Sequence, residues 1–412
     1  MGSSRSAHCF RCSVARSFPP CPSRLSLVTV RPVVTVVTDF GLKGSALTEA
    51  LAEHEPQVLI VRSTKVTAAD LDADPDLELI VRAGAGYDTI DVEGASERGI
   101  FVANCPGKNA TAVAELAFGL ILSLDRRIPE NVAEARAGRW DKKAFSSAYG
   151  IKGSTLGLIG LGSIGQEMIP RAKSFGMGVV AWSRSLTDED AADLGIARME
   201  SPEDVAAAAD VISVHVASTP ETKGLIGRSF FEEMQEEAFL INTSRAAIVD
   251  EEAARWAMDE KNIRFATDVP TGEPAAKQDA FEHPLADHPN FYVTHHIGAS
   301  TDQATEAIGQ EAVRVVTTYA ETGRVPNCVN LAEQSPATHL LTVRHRDRVG
   351  VLAGVLDAVS EAGWNVQEME NLIFAGAEAA CARIRFDGHP NAETLKTIQD
   401  QNHVIAATII AL

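Results

Sequence analysis

The stretch Thr155–Gly165 reads TLGLIGLGSIG, an apolar run that gives way to glycines at Gly160, Gly162 and Gly165 and then to a helix-forming segment, Gln166 to Phe175. A strand, a glycine turn and a helix in immediate succession leave few alternatives to a parallel βαβ unit. The first glycine permits the tight turn. The second lets a pyrophosphate approach backbone N–H groups at the helix N-terminus, and the third lets helix and strand pack closely. A dinucleotide site is expected here; the bland alternative is a glycine turn of no special purpose in an α/β domain.

The same rhythm runs on both sides. Short apolar runs at Val33–Val37, Val58–Val61, Leu79–Val81 and Ile100–Ala103 alternate with helix-like segments, which predicts a parallel sheet with helices on its faces. Asn109 can cap the apolar stretch Ala112–Leu124, expected as a buried helix near a hinge. From Thr155 a second series continues through Val179–Trp182, Val211–Val214, Phe239–Asn242, Ile263–Ala266 and Phe291–Thr294, six strands of one doubly wound domain. A long helix over Thr301–Thr322 then carries the chain back to the first domain, and Pro326–Gln334 reads as a linker. Beyond it, strands at Thr338–Arg344, Val366–Leu372, Ala379–Phe386 and Val404–Ala411 alternate with two helices, the first ending at Gly363, in a βαββαβ order. The expected division is a leader over 1–31, set aside as disordered, a first domain over 32–132 completed by 299–331, a dinucleotide-binding domain over 133–298 and a small domain over 332–412.

Charge narrows the function. The 412 residues carry 37 Lys and Arg against 56 Asp and Glu, a formal net charge of −19. Most of such a surface repels a phosphate backbone, which argues against nucleic acid and anionic membranes as partners while leaving room for a local basic pocket. No apolar run reaches the roughly 18 residues of a membrane span. Cys105, Cys328 and Cys381 are isolated, as in a reducing compartment. Cys9 and Cys12 form a CxxC, but no second pair or His stands at ligand spacing, so no metal site is expected. The Arg- and Ser-rich leader is either a transit peptide or an artefact of start-codon choice. The cytoplasm is the expected location, with an organelle the alternative should the leader be a transit peptide.

Three later segments each end a strand with one reactive side chain: Arg245 after Ile241–Ser244, Glu273 beyond Asp268, and His296 after Val293-Thr294. The carboxyl ends of strands border the ligand crevice of an open α/β sheet, so the three are expected to converge. An arginine fork binds a carboxylate, a histidine exchanges the proton of an alcohol, and a glutamate bonded to that histidine orients it. Those parts suffice to interconvert a 2-hydroxy acid and a 2-keto acid. Taken singly, each also reads as a surface ion pair, a loop residue or a satisfied edge histidine. An acidic residue for the ribose 2′-OH is expected about twenty residues after the glycine turn, yet the second strand ends in Ser183-Arg184-Ser185. Both NAD and NADP therefore stay open. Arg62, Lys65 and Arg82 fall at predicted strand ends in the first domain, where they form a candidate pocket for a phosphate or read as solvated loop charge.

With these residues in place, the chain resembles the D-isomer-specific 2-hydroxyacid dehydrogenase family over nearly everything after Arg31. The strings that carry the resemblance are Thr155–Gly165, Ile241–Asp250 (INTSRAAIVD), Asp268–Pro274 (DVPTGEP) and His296–Thr301 (HIGAST), with Ile80–Asp91 (IVRAGAGYDTID) and Ala103–Leu116 in the first domain. The resemblance implies an α/β protein of two doubly wound parallel-sheet domains, a flavodoxin-like substrate domain and a Rossmann NAD-binding domain, with Arg245, Glu273 and His296 catalytic. It also implies cofactor contacts at Ser163, Ile164, Ser183, Arg184, Thr243, Ser244, Asp268 and Gly298, and substrate contacts at Arg62, Lys65, Arg82, Gly84 and Asn104. Ser183 stands where the family usually has Asp, His295 where it has Pro, Pro270 where it has an aromatic and Ala246 where it has Gly. The βαββαβ module resembles the ferredoxin-like ACT regulatory domain, which implies an amino-acid effector held by His345, Asp347 and Asn365. A homodimer or homotetramer is implied, with Trp140 and Lys142 near a dimer interface. The substrate implied is a phosphorylated 2-hydroxy acid. The alternatives are an unphosphorylated 2-keto acid reduced with NADPH, and a nucleotide-sensing protein without turnover.

Overall fold

Valine-, isoleucine- and leucine-rich runs of four or five residues, too short for helices and apolar on both faces, become central strands of two largely parallel sheets. They do so in a computed structural model that describes residues 8–10, 35–39, 41–274, 279–332 and 334–412. The chain divides into two compact units, Met1–Asn330 and Leu331–Leu412.

The first unit holds two sheets. In one, Val58–Val61, Leu79–Arg82 and Phe101–Ala103 run parallel, while His8–Phe10 pairs antiparallel with both Val58–Val61 and Val37–Thr38. Two expectations are corrected here. The leader, set aside from the fold, contributes an antiparallel strand, because the free edge of Val58–Val61 offers backbone donors and acceptors to any extended segment. The strand expected over Val33–Val37 is Val37–Thr38 within the described residues, and Val33 and Val34 lie outside them.

The other sheet has seven parallel strands in the order Phe291–Val293, Arg264–Thr267, Phe239–Asn242, Val211–Val214, Thr155–Ile159, Gly178–Trp182, Ala197–Arg198. Six were expected; the seventh, Ala197–Arg198, is two residues long and too brief to show an apolar period. The chain moves outward from Thr155–Ile159 in one direction and then returns to build Val211–Val214 on its other side. That reversal opens a crevice at the carboxyl ends of these two strands.

The apolar helix is Ala110–Arg126, buried along most of its length, with Ala114, Ala117, Ile121 and Leu124 packed among Leu156, Leu158, Met168 and Ile241 of the seven-stranded lobe. Asn109 occupies its N-cap position without a side-chain cap bond; its carbonyl instead accepts from Val113 N–H. The long helix is Asp302–Thr322, capped by the Thr301 hydroxyl and closed by Gly323 at φ 70°. Its Ile308, Ala312 and Val315 pack on Val58, Ile60, Leu79 and Val81, so it does return the chain to the first lobe. The expected linker is partly corrected: Asn327 and Asn330 bond back to Asn104, Glu311, Val102 and Ile100, fastening the chain as far as Asn330. Among the described residues no helix is long and apolar enough to cross a membrane, and no cluster of His, Cys, Asp and Glu could hold a metal ion.

The second unit is the expected βαββαβ. Its antiparallel sheet runs Asn365–Ile373, Ala379–Asp387, His339–Arg346, Val404–Ala411, with helices Val351–Glu361 and Ala392–Gln399. Leu341, Val343 and His345 alternate inward with Ala382, Ile384 and Phe386 against Val355, Val359 and Ile398. Gly363 follows the first helix at φ 71°, as the sequence required.

Candidate active site

The glycine turn lies at the crevice, and each glycine has a separate physical reason. Gly160 adopts φ 96°, and a Cβ there would fall 2.6 Å from the His215 carbonyl oxygen on the neighbouring strand. At Gly165 a Cβ would fall 2.4 Å from the Gly160 carbonyl oxygen, so helix and strand touch there. Gly162 is different: a Cβ would meet nothing within 4 Å, which leaves open space over the first N–H groups of Ser163–Ser174. Two strands away in the sheet, just past Phe239–Asn242, the Thr243 hydroxyl is buried without a hydrogen-bond partner among the described residues. The open cradle of helix N–H groups suits a dinucleotide pyrophosphate, and an unsatisfied hydroxyl farther along the carboxyl edge is available to the same ligand.

Arg245, Glu273 and His296 follow three strands that are neighbours in the sheet, Phe239–Asn242, Arg264–Thr267 and Phe291–Val293, so the topology sets them along one edge. Asn242 shapes the first turn: its amide donates to the Arg245 carbonyl at 2.9 Å and its oxygen accepts from Ser244 N–H at 3.0 Å. Ser244 is buried and its hydroxyl donates to Val214. His296 sits in the left-handed region at φ 50°, a strained position for a side chain of this kind. Asp268 holds it there. This buried carboxylate accepts from Ile297 N–H at 2.9 Å, Gly298 N–H at 2.7 Å and the Thr294 hydroxyl at 2.6 Å. A Cβ on Gly298 would fall 3.0 Å from Asp268 and 3.3 Å from Val113, so glycine lets this turn close over the interlobe helix.

His296 Nδ1 meets Glu273 Oε2 at 2.8 Å. With Nδ1 donating to that carboxylate, Nε2 keeps its lone pair and is the nitrogen able to take up a proton. The loop that carries Glu273 is anchored through Thr271, whose hydroxyl donates to Glu251 at 2.6 Å, and through buried His283, which meets the same carboxylate at 3.2 Å.

The first lobe adds positive charge. Burial, with the charges of Arg245 and Arg62, pushes the Arg82 guanidinium down to about 10, so both of those arginines lie within electrostatic reach of Arg82. Arg245 Nη2 donates to Asp88 at 2.8 Å and its Nη1 to the Ser244 carbonyl at 2.7 Å. Two glycines permit this crowding: a Cβ on Gly84 would fall 1.4 Å from Arg82 Nη1, and one on Gly86 would fall 1.9 Å from Arg245 Nη2. Asn104 is buried and donates to the Ala85 carbonyl at 2.6 Å, so it shapes this loop from beneath. Lys65, expected in the pocket, is exposed, and no contact among the described residues ties it to the arginines.

The sequence of the turn and the paired histidine have counterparts in known proteins. Residues 118–298 match the family model described as the D-isomer specific 2-hydroxyacid dehydrogenase, NAD binding domain. Over 285 residues the chain is 38% identical to a hydroxypyruvate reductase of Thermotoga maritima, covering 68% of this chain and 89% of that protein. The chain belongs to the D-isomer-specific 2-hydroxyacid dehydrogenase family. It is also 37% identical over 293 residues to a D-3-phosphoglycerate dehydrogenase of Methanocaldococcus jannaschii, covering 71% of this chain. The match spans only 54% of that relative, and a little over half the length of the D-3-phosphoglycerate dehydrogenases of Archaeoglobus fulgidus and Mycobacterium bovis. The structure is similar to an NAD+-bound 3-phosphoglycerate dehydrogenase of Entamoeba histolytica, with TM-score 0.59, 28% identity, and coverage of 71% of this chain and 87% of that one.

Within this family frame, the end of the second strand stays without a carboxylate: Ser183 is half-buried and Arg184 exposed, and Asp188 turns to Arg198 at 3.5 Å. Arg184 is instead felt by Glu221, whose carboxyl is held below its ordinary range chiefly by Thr219. Asp88, Gly86, Asn242 and His215 were missed by sequence reasoning. His215 alone had a usable signal, as the residue ending a strand at the switch point. It is buried, meets Ser213 at 2.9 Å, and burial pushes its imidazole down to about 3, so it is neutral.

In the second unit the three effector candidates are not brought together. His345 is buried and meets the Asn371 side chain at 3.3 Å, while Asp347 is half-buried in the following loop. Asn365 pairs with Asp387 and His345 with Ala380, at opposite ends of the strand Ala379–Asp387. At about 3.3 Å per residue the two lie roughly 20 Å apart along the sheet.

Proposed function

We propose that the chain is a D-3-phosphoglycerate dehydrogenase that oxidises 3-phospho-D-glycerate to 3-phosphohydroxypyruvate, the opening step of L-serine synthesis. The observation that carries this reading is the Asp88-gripped Arg245, with Arg245 and Arg62 both within electrostatic reach of buried Arg82, on the same sheet edge that carries the His296–Glu273 pair, in a chain whose overall charge is −19. Concentrated positive charge in an acidic protein suits a substrate with both a carboxylate and a phosphate.

In the direction of oxidation His296 Nε2 takes the C2 hydroxyl proton while Glu273 steadies the imidazolium that forms. Arg245 forks onto the substrate carboxylate and draws charge from the C2 oxygen; Arg62 and Arg82 hold the phosphate. A nicotinamide dinucleotide, with its pyrophosphate at the glycine turn, would supply the acceptor for the C2 hydride. Ser163, Ile164, Ser183, Thr243 and Ser244 are the residues that would hold the dinucleotide, with Asp268 and Gly298 shaping the turn beside it. NAD is the cofactor named by the family model.

A second reading, an unphosphorylated 2-keto-acid reductase using NADPH, is favoured by one observation: Ser183-Arg184 leaves the ribose end without a carboxylate. Initial rates of 3-phosphohydroxypyruvate, hydroxypyruvate and glyoxylate reduction, each with NADH and NADPH, separate the two. Preference for the phosphorylated acid supports the first reading and preference for the others overturns it. For the second unit we propose an ACT-type regulatory role in a homo-oligomer, with His345 and Asp347 of one copy and Asn365 of another around an amino acid. Inhibition by L-serine tests it, and a flat titration to millimolar overturns it.

A further inference from the structure

Asp88 is the one carboxylate hydrogen-bonded to Arg245 in the described structure, and its charge is felt by Arg82 as well. It comes from the first lobe, on the loop after Leu79–Arg82, whereas Arg245 comes from the second, after Phe239–Asn242. The carboxylate and the Ser244 carbonyl grip the guanidinium from two sides, one at Nη2 and one at Nη1. Each terminal nitrogen carries two hydrogens, so one on each is left for an incoming ligand. Gly86 makes the contact sterically feasible, since a Cβ there would meet both Arg245 Nη2 and Asp88 Oδ1, at 1.9 and 3.0 Å.

Resting on the reading that Arg245 grips a substrate carboxylate, we propose that Asp88 is the resident counter-ion of this site: it fixes the plane of Arg245 and keeps Arg245 and Arg82 from capturing simple inorganic anions. Without it, Arg245 and Arg82 repel each other with no opposing charge hydrogen-bonded to Arg245. A small dianion would then settle between them. With it, Arg245 is already aimed, and a ligand is held well only if it also reaches the remaining hydrogens of the fork. Asp88 is thus a positioning residue that acts through Arg245 and takes no part in proton or hydride movement.

Two substitutions separate geometry from charge. Asp88→Asn keeps an acceptor oxygen and loses the charge. It should lower kcat for the preferred keto acid less than Asp88→Ala does, while lowering the inhibition constant of inorganic phosphate about tenfold. Asp88→Ala loses both, so kcat should fall about tenfold or more as the fork loses its aim, and phosphate should again bind more tightly. In an Arg245→Ala background the Asp88→Ala change should add nothing to the loss. The proposal is overturned if phosphate inhibits wild type and Asp88→Asn equally, or if Asp88→Ala is as costly without Arg245 as with it. Phosphate binding is also read from the rise in Tm of each protein with added phosphate, which needs no turnover. A wild type that reduces no 2-keto acid therefore defeats the functional reading alone, while equal phosphate shifts in wild type and Asp88→Asn defeat this one.

Discussion

Replacing Gly86 by alanine should damage catalysis without damaging the fold. The backbone at Gly86 lies outside the left-handed region, so alanine adopts it freely, and the loss of glycine's freedom in the unfolded chain favours the variant by up to about 1 kcal/mol. The new methyl would stand 1.9 Å from Arg245 Nη2. An ordinary separation of about 3.5 Å forces the guanidinium to withdraw by roughly 1.5 Å. Because the clashing atom is the far end of a long side chain, the protein yields there and not in its backbone. A misplacement of this size in a group that positions substrate costs about a hundredfold in rate, or about 2.7 kcal/mol of transition-state stabilisation. The assay is steady-state reduction of the preferred keto acid, with NADH affinity by fluorescence and Tm by calorimetry as controls. The expected result is kcat/KM down about a hundredfold with both controls near wild type. Wild-type kcat/KM in a folded Gly86→Ala protein would refute the placement of Arg245 in the site.

Other consequences are equally open to measurement. His296→Asn should lower kcat by about 10²–10⁴, the range for a lost general acid or base, while dinucleotide affinity stays the same; full activity would remove His296 from the chemistry. Arg62→Ala should raise KM for a phosphorylated substrate about tenfold or more, whereas Lys65→Ala should change it little, and the reverse order would show that the exposed lysine closes onto substrate. His215 is neutral in the folded protein, its imidazole pushed down to about 3, and it takes up a proton near pH 6.5 once unfolded. The unfolded state therefore binds the extra proton, and stability falls as pH drops below 6.5, by about 1 kcal/mol per pH unit from this residue. Denaturant titrations between pH 7 and 5 should show that slope reduced in His215→Gln, and an unchanged slope would count against it.

Much of the fold is legible in local sequence. Apolar runs at Val58, Leu79, Thr155, Val211 and Phe239 mark strands because a buried parallel strand has no polar face, and glycines at 160, 162 and 165 mark the turn because no side chain fits there or none is wanted. The order of Arg245, Glu273 and His296 after successive strands suffices to predict their convergence, since strand order in a doubly wound sheet is set by right-handed crossovers. Such features depend on residues close in the chain or on a topology with few alternatives.

Other features depend on which distant side chains meet. Asp88 and Arg245 are 157 residues apart, and nothing in either neighbourhood announces the other. Lys65 and Arg62 look equivalent as strand-end cations, yet in the fold Lys65 is exposed while the charge of Arg62 is felt by buried Arg82. Asp268 reads in sequence as a cofactor residue, while its part in holding the turn at His296 through three hydrogen bonds depends on tertiary contacts. Asn365 and His345 matched an effector motif, but antiparallel register sends them to opposite ends of one sheet. The sequence alone determined the elements, their order and the reactive residue types, all consequences of local sterics and apolar periodicity. Tertiary structure alone decided which charges face one another, because Coulomb interactions and hydrogen bonds depend on distances in space that chain separation does not constrain.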